Sequence, residues 1–288
     1  MLILDGKKVR EQIAVKLRER ILSLPEKPSL AIIQVGDNEE SNTYIKQKKM
    51  FGESIGARVE HVRLGAKTSQ KELLEAIEKL NRDQAIHGII VQMPIPGSLD
   101  KSEVVDAIAP QKDVDGMGQA NIKALWENRE GGFVPATTKG IMALLVFYDI
   151  QVSGKHVVVV GRSPLVGKPT AQALLNADAT VTVAHSKTHD LPSVTKMADI
   201  LVVAAGKPHF IQRDHVREGQ VVIDVGITAV TGEKLDDELA EKTIAGDVHF
   251  DAVKDIVAAI SPVPGGVGPM TVASLFENLV EAYERQQR

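Results

Sequence analysis

Residues 157–170 read VVVVGRSPLVGKPT, and this stretch decides the fold. Four consecutive valines suit a central parallel strand covered on both faces, and Gly161 and Gly167 bracket a turn whose backbone can closely approach a pyrophosphate. A helix follows, and its first N–H groups would point at such an anion. The match to G-x-G-x-x-G is imperfect, because Ser163 takes the place of the middle glycine and Gly167 lies one position late. The same residues also suit an ordinary turn with a solvent-facing arginine.

The next strand separates these readings. It spans Ala179–Ala184 (ATVTVA) and is followed by His185-Ser186-Lys187, where an NAD-specific site would carry an acid for the ribose 2′-hydroxyl. No acid is present. Arg162, Ser186 and Lys187 instead offer positive charge and donors that suit a 2′-phosphate, so the expected cofactor is NADP.

The 288 residues suffice for two domains with cores of their own, and a hydrophobic content of 43% is ordinary for an α/β protein. Lys and Arg total 34 against 38 Asp and Glu, with no long block of one sign, and aromatic residues are few. A nucleic-acid partner is not expected on that charge and stacking inventory. The absence of cysteine removes disulfides, thiolate nucleophiles and Cys-ligated metals. His185 and His189 stand four apart without a third ligand, so no metal is expected. The opening MLILDGKKVREQ turns charged after four apolar residues, and nowhere do about 18 apolar residues run together. The expectation is a cytoplasmic protein with no membrane segment.

Working outward, strand-like runs at Ser29–Val35, Arg58–Arg63 and His87–Met93 alternate with helical stretches at Glu39–Gly56, Ser69–Arg82 and Lys101–Ala109. That alternation predicts a first parallel sheet, with a short edge strand and an amphipathic helix over 9–22 preceding it. The helix after Val35 has Asp37 as candidate cap with Glu40 three residues on. A second series, from Val157 through Asp199–Ala204 and Gln220–Val225, forms the nucleotide-binding half. Between the halves, Ala109–Pro135 reads as loops over a cleft, and Thr138–Asp149 as a helix entering the second domain. A last helix over Pro269–Arg285 follows the loop SPVPGGVGP, with Pro269 suited to its first position.

Several residues could carry chemistry. Tyr44 and Lys48 share a helix face at i, i+4, and burial or the neighbouring Lys46 and Lys49 could lower the Lys48 pKa enough to make a base. On spacing alone, a solvated KQKK face explains them better. Gln92 ends its strand where parallel sheets place ligands, and its amide could orient a lysine or a water. Standing alone, it reads better as a glutamine satisfying the strand end. Asp113 and Asp115 in QKDVDG would lie on one side of an extended segment, where a carboxylate could pair with an amino-substituted heterocycle such as a pterin. A turn using Asp and Gly for their backbone preferences, or a metal site, competes with that reading.

Taken together, SNTYIKQK, HGIIVQMPIP, KDVDG, VVVVGRSPLVGKP, HSKT, GDV and SPVPGGVGPMTVA resemble one family over essentially the whole chain. It is the bifunctional methylenetetrahydrofolate dehydrogenase/methenyltetrahydrofolate cyclohydrolase family. One departure is Ala136-Thr137, where the family more often has Cys and Pro; it touches a hinge-side segment. The resemblance implies an enzyme of one-carbon metabolism, serving purine biosynthesis, with two half-reactions in a single cleft. NADP-dependent oxidation of 5,10-methylenetetrahydrofolate is followed by hydrolysis of the methenyl product to 10-formyltetrahydrofolate.

The resemblance also implies roles. Lys48 would be general base and acid, Gln92 would hold its ammonium, Tyr44 would pack on the folate, and Asp115 would fix the pterin. Gly265, Gly266, Val267 and Thr271 would complete the folate side, while Gly161, Arg162, Ser163, Ser186 and Ile227 would line the NADP groove. It implies a folate-binding catalytic domain of residues 1–136 plus 267–288 and a Rossmann-like NADP-binding domain of residues 137–266. The last helix would return to the first domain, and a homodimer would form through the nucleotide domains. Two alternatives stand beside it: another two-domain NADP dehydrogenase, shikimate-dehydrogenase-like, would keep the glycine turn without explaining Tyr44, Lys48, Gln92 and Asp115 together. A catalytically silent nucleotide-binding regulator would be expected to lose one of those four.

Overall fold

The computed structural model describes residues 1–231 and 242–287. Contacts divide the chain into two compact units, one formed by residues 11–136 with 272–288, the other by residues 1–10 with 137–271. The expected division therefore shifts at two places. The first ten residues and residues 267–271 belong with the nucleotide-binding sequence. Strand β1 (Leu2–Ile3) is the reason for the first shift, because it pairs in parallel with a strand near residue 260. Helix α1 (Gly6–Leu22) then leads into the other unit.

In that unit the order is β2 (Ser29–Val35), α2 (Glu39–Ile55), β3 (Arg58–Leu64), α3 (Gln70–Arg82) and β4 (Gly88–Val91). The strands form a parallel sheet in the order β3-β2-β4. Every residue of β2 is buried, as a central strand covered on both faces requires. Helix α3 opens with a reciprocal capping box between Ser69 and Glu72, and buries Leu73, Ile77 and Leu80. Each such aliphatic side chain contributes about 1.5–3 kcal/mol of burial. Helix α4 (Lys101–Asp106) adds Val104 to the same core.

Helix α5 (Gln119–Trp126) was not expected. It lies within the stretch read as loops, because the Gly and Asp residues that flank it dominate the local composition. The N-cap of α2 is Asn38, whose side chain accepts from the Ser41 N–H, rather than Asp37, which accepts from Asn42 Nδ2. The Glu40 side chain lies outside the described residues.

The other unit continues with α6 (Ala136–Phe147), β5 (His156–Val160), α7 (Gly167–Asn176), β6 (Thr180–Ala184), α8 (Leu191–Lys196), β7 (Ile200–Val203) and β8 (Val221–Asp224). Then come the antiparallel pair β9 (Thr228–Thr231) and β10 (Lys242–Ala245), followed by α9 (Phe250–Val253), β11 (Ala259–Ile260) and α10 (Val267–Gln286). The main sheet is parallel, in the order β1-β11-β8-β7-β5-β6. From β5 the chain passes to β6 on one side and then crosses to β7 on the other. That reversal makes a crevice at the carboxyl ends of β5 and β7, the doubly wound arrangement in which dinucleotides sit.

Helix α10 starts at Val267, so Pro269 falls at its third residue rather than its first. From Val272 onward its residues belong with the three-stranded sheet: Phe276 meets the Phe51 ring with centroids 5.4 Å apart, and Asn278 donates to the carbonyls of Val114 and Val134. Among the described residues no helix is long and apolar enough to cross a membrane.

Candidate active site

Helix α2 and the end of β4 bring together two residues 44 positions apart. Lys48 Nζ donates to Gln92 Oε1 at 2.8 Å. The Gln92 amide is fixed in that sense by its other end, since Nε2 donates to the Met93 carbonyl at 2.7 Å. Burial holds the Lys48 pKa below the usual lysine range, and the Asp115 carboxylate opposes that shift. Lys46 and Lys49 are not the cause: Lys46 is exposed, and Lys49 lies 3.3 Å from His61 Nδ1. Tyr44, one turn before Lys48, is 39% exposed, so its ring is presented rather than packed away.

Asp115 reaches the same group because KDVDG runs beside β4. The Ile89 N–H donates to the Lys112 carbonyl at 2.7 Å, and Ile89 bridges Asp113 in parallel fashion. Gly88 permits this closeness, since a Cβ there would sit 2.7 Å from Val114. The Asp113 carboxylate accepts from the N–H groups of Gly116, Met117 and Gly118 and from Asn121 Nδ2. It thus ties the loop that carries Asp115. Burial raises the pKa of Asp115, the nearby Lys48 charge opposing and Asp113 adding to it. Asp113 therefore serves its loop from within, and Asn121, which belongs to no recognisable motif, serves beside it. Only the fold-back of α5 reveals that pairing.

At the carboxyl end of β5, the Gly161 N–H donates to the Ala184 carbonyl, so the glycine turn and the turn after β6 are neighbours. Gly161 has φ 131°, and a Cβ there would lie 2.2 Å from the Ala204 carbonyl oxygen. Gly167 is equally tight, with a Cβ falling 2.3 Å from the Gly161 oxygen. Ser163, in place of the expected glycine, accepts from the N–H groups of Val166 and Gly167 through its hydroxyl. Arg162, Ser186 and Lys187 are exposed at these two turns, and His185 Nδ1 accepts from the Lys187 N–H. A cradle that admits only glycine, an exposed guanidinium and no acid after β6 fit NADP.

Ile227 and the loop before α10 lie in this same unit. Ile227 is 44% exposed, and a Cβ on Gly268 would touch its Cδ1 at 3.2 Å. Gly265 has φ 110° and accepts from the Gly6 N–H, while Gly266 and Val267 are buried. Thr271 lies with its hydroxyl 3.3 Å from that of Thr137. The structure thus groups Lys48, Gln92 and Asp115 in one unit, and gathers Gly265, Gly266, Val267 and Thr271 in the other with the glycine turn.

Comparison with known proteins decides the family. Residues 4–115 match the tetrahydrofolate dehydrogenase/cyclohydrolase catalytic domain, and residues 135–287 match the NAD(P)-binding domain of the same family. The chain belongs to the tetrahydrofolate dehydrogenase/cyclohydrolase family. The Bifunctional protein FolD of Lysinibacillus sphaericus is 46% identical over 287 residues, covering 99% of this chain and 98% of its own. The bifunctional FolD methylenetetrahydrofolate dehydrogenase/cyclohydrolase of Campylobacter jejuni superposes with a TM-score of 0.94 at 42% identity, covering 99% of both chains. The Trypanosoma brucei enzyme, solved with NADP and an inhibitor, gives a TM-score of 0.94 at 35% identity over 100% of this chain and 99% of that one. Shikimate dehydrogenase of Aquifex aeolicus, with a TM-score of 0.54 at 13% identity and coverage of 92% and 99%, shares the fold alone.

Proposed function

We propose that this family member oxidises 5,10-methylenetetrahydrofolate with NADP and then hydrolyses the methenyl product to 10-formyltetrahydrofolate. NADP, when bound, supplies the hydride acceptor. The observation that carries the assignment of residues is the Lys48–Gln92 hydrogen bond of 2.8 Å beside the Asp115 carboxylate. In hydrolysis, water adds to the methenyl carbon and loses a proton; the resulting hydroxyl then gives up its own proton as the carbonyl forms, and the bond from that carbon to the ring nitrogen breaks as the nitrogen gains a proton, so that one proton is released overall. A lysine whose pKa is lowered by burial suits both transfers, because the shift makes it a better proton donor than an ordinary lysine while leaving it able to accept one. Gln92 keeps Nζ aimed, and Asp115 binds the pterin through its amino group and ring nitrogen. Tyr44 offers a face to the folate, and Gly265, Gly266, Val267 and Thr271 complete the folate side.

On the cofactor side, Gly161 and Ser163 shape the pyrophosphate turn, Arg162 and Ser186 meet the 2′-phosphate, and Ile227 borders the groove. The product serves one-carbon metabolism, including purine biosynthesis, in the cytoplasm. The working assembly is a homodimer through the nucleotide unit. Support for it comes from β6, the edge strand of the main sheet, whose Val183 is 40% exposed, and from Leu175 of α7 and Met197 at the end of α8, exposed by 53% and 56%.

The test is a spectrophotometric assay with methylenetetrahydrofolate and NADP. Methenyl absorbance rises in step with reduced cofactor formation and then decays on hydrolysis; a rise without decay would remove the second activity. Arg162→Ala probes the cofactor assignment. A charge-assisted contact to phosphate is worth roughly 1.5–3 kcal/mol, so NADP affinity falls about tenfold to hundredfold. NAD, which lacks that phosphate, is affected much less. Equal losses for both cofactors in parallel titrations would assign Arg162 to the turn or to the shared pyrophosphate.

A further inference from the structure

Two buried carboxylates at the carboxyl end of the main sheet have no part in the chemistry above. Asp247 accepts from three successive backbone N–H groups: Ala205 at 2.6 Å, Gly206 at 2.9 Å and Lys207 at 2.7 Å. Gly206 has φ 64°, which helps turn the three N–H groups toward one point. Such a concavity ordinarily takes an anion from outside. Here an internal side chain fills it.

Asp224, at the end of β8, accepts from the N–H groups of Gly226, Asp247 and Val248 at 2.9, 3.0 and 2.9 Å. Burial pushes its carboxyl up to about 7, the three N–H groups acting against that shift. Its backbone N–H is held in turn by the Ser261 hydroxyl at 2.8 Å. Space around the pair is full, since a Cβ on Gly226 would lie 2.3 Å from the Asp247 carboxyl carbon, and one on Gly246 would lie 2.0 Å from Asp224 Oδ2.

The two carboxylates therefore bind three chain segments into one body, and two of these border the nucleotide groove. The segment held by Asp247 follows Ala204, whose carbonyl lies where a Cβ of Gly161 would collide. The segment held by Asp224 leads through Gly226 to Ile227. We propose that Asp247, seconded by Asp224, is a positioning residue for NADP, fixing the loop after β7 against the glycine turn before the cofactor arrives. The inference rests on the NADP reading above. It assigns no contact between either carboxylate and the cofactor. Preorganisation of this kind removes a loop-ordering cost from binding.

Asp247→Asn tests it, because the amide keeps one acceptor oxygen and turns its NH2 toward N–H donors. NADPH affinity, read by fluorescence titration, falls tenfold or more, while methenyl hydrolysis without cofactor stays within twofold of wild type. In the same variant, amides 205–207 exchange with deuterium faster. An unchanged NADPH affinity overturns the proposal, as does an equal fall in affinity and hydrolysis that follows a drop in Tm. Should the variant fail to fold, the wild type decides. Amides 205–207 protected in the free protein support the proposal, and amides protected only after NADPH is added overturn it. A wild type that binds no NADPH would instead remove the cofactor reading.

Discussion

Lys48→Met lowers the rate of methenyl hydrolysis by about 10²–10⁴-fold, the usual contribution of a positioned acid–base group. Methionine keeps the length and apolar character of the lysine stem but has no proton to give or take. Gln92 loses the donor that now satisfies its Oε1 at 2.8 Å, and its own Nε2 bond to Met93 holds the amide in place. Binding of NADPH is unchanged, because Lys48 belongs to the unit that lacks the glycine turn. Decay of methenyl absorbance under saturating substrate measures the first effect, and fluorescence titration the second. Hydrolysis at the wild-type rate would take the lysine out of the mechanism.

Gly161→Ala has the opposite signature. With φ 131°, the residue sits in a region costly for any side chain, on the order of 1–3 kcal/mol, before sterics are considered. The added methyl would also stand 2.2 Å from the Ala204 oxygen, so either the turn or the end of β7 must move. NADP affinity and dehydrogenase activity fall together by at least about a hundredfold, and Tm drops with them. Hydrolysis of added methenyltetrahydrofolate continues. Normal dehydrogenase kinetics would show that the turn can relax without consequence, and the cradle would lose its significance.

Much of this was legible from residue order. Ser29–Val35 is a wholly buried strand because its SLAIIQV run leaves no polar face to expose, and VVVV marks an interior strand of the second sheet for the same reason. Lys48 and Gln92 could be named separately, yet spacing alone favoured a solvated helix face for the first. Only the resemblance brought them together in advance. Burial, rather than neighbouring lysines, then accounts for the lowered pKa of Lys48. Other features had no local signature. Helix α5 is short and flanked by turn formers, and its Asn121 matters only once the Asp113 carboxylate has folded toward it. Asp224 and Asp247 likewise meet only in the fold, where the Asp247 N–H donates to the Asp224 carboxylate from 23 positions away in sequence. The placement of Leu2–Ile3 depends on a partner at Ala259–Ile260, far outside any window of periodicity.

That last pairing bears on how the chain is made. Strand β1 waits for a neighbour synthesised more than 250 residues later, and the sheet around β2 likewise lacks Phe276 and Asn278 until α10 emerges. Neither unit can close until its share of residues 259–286 has been made. Contacts of such long range slow folding and leave apolar surface uncovered in the interim. A nascent chain stalled before residue 260 would present two unfinished cores at once, a natural substrate for chaperones, one unit being completed by residue 271 and the other only as the rest of α10 is added.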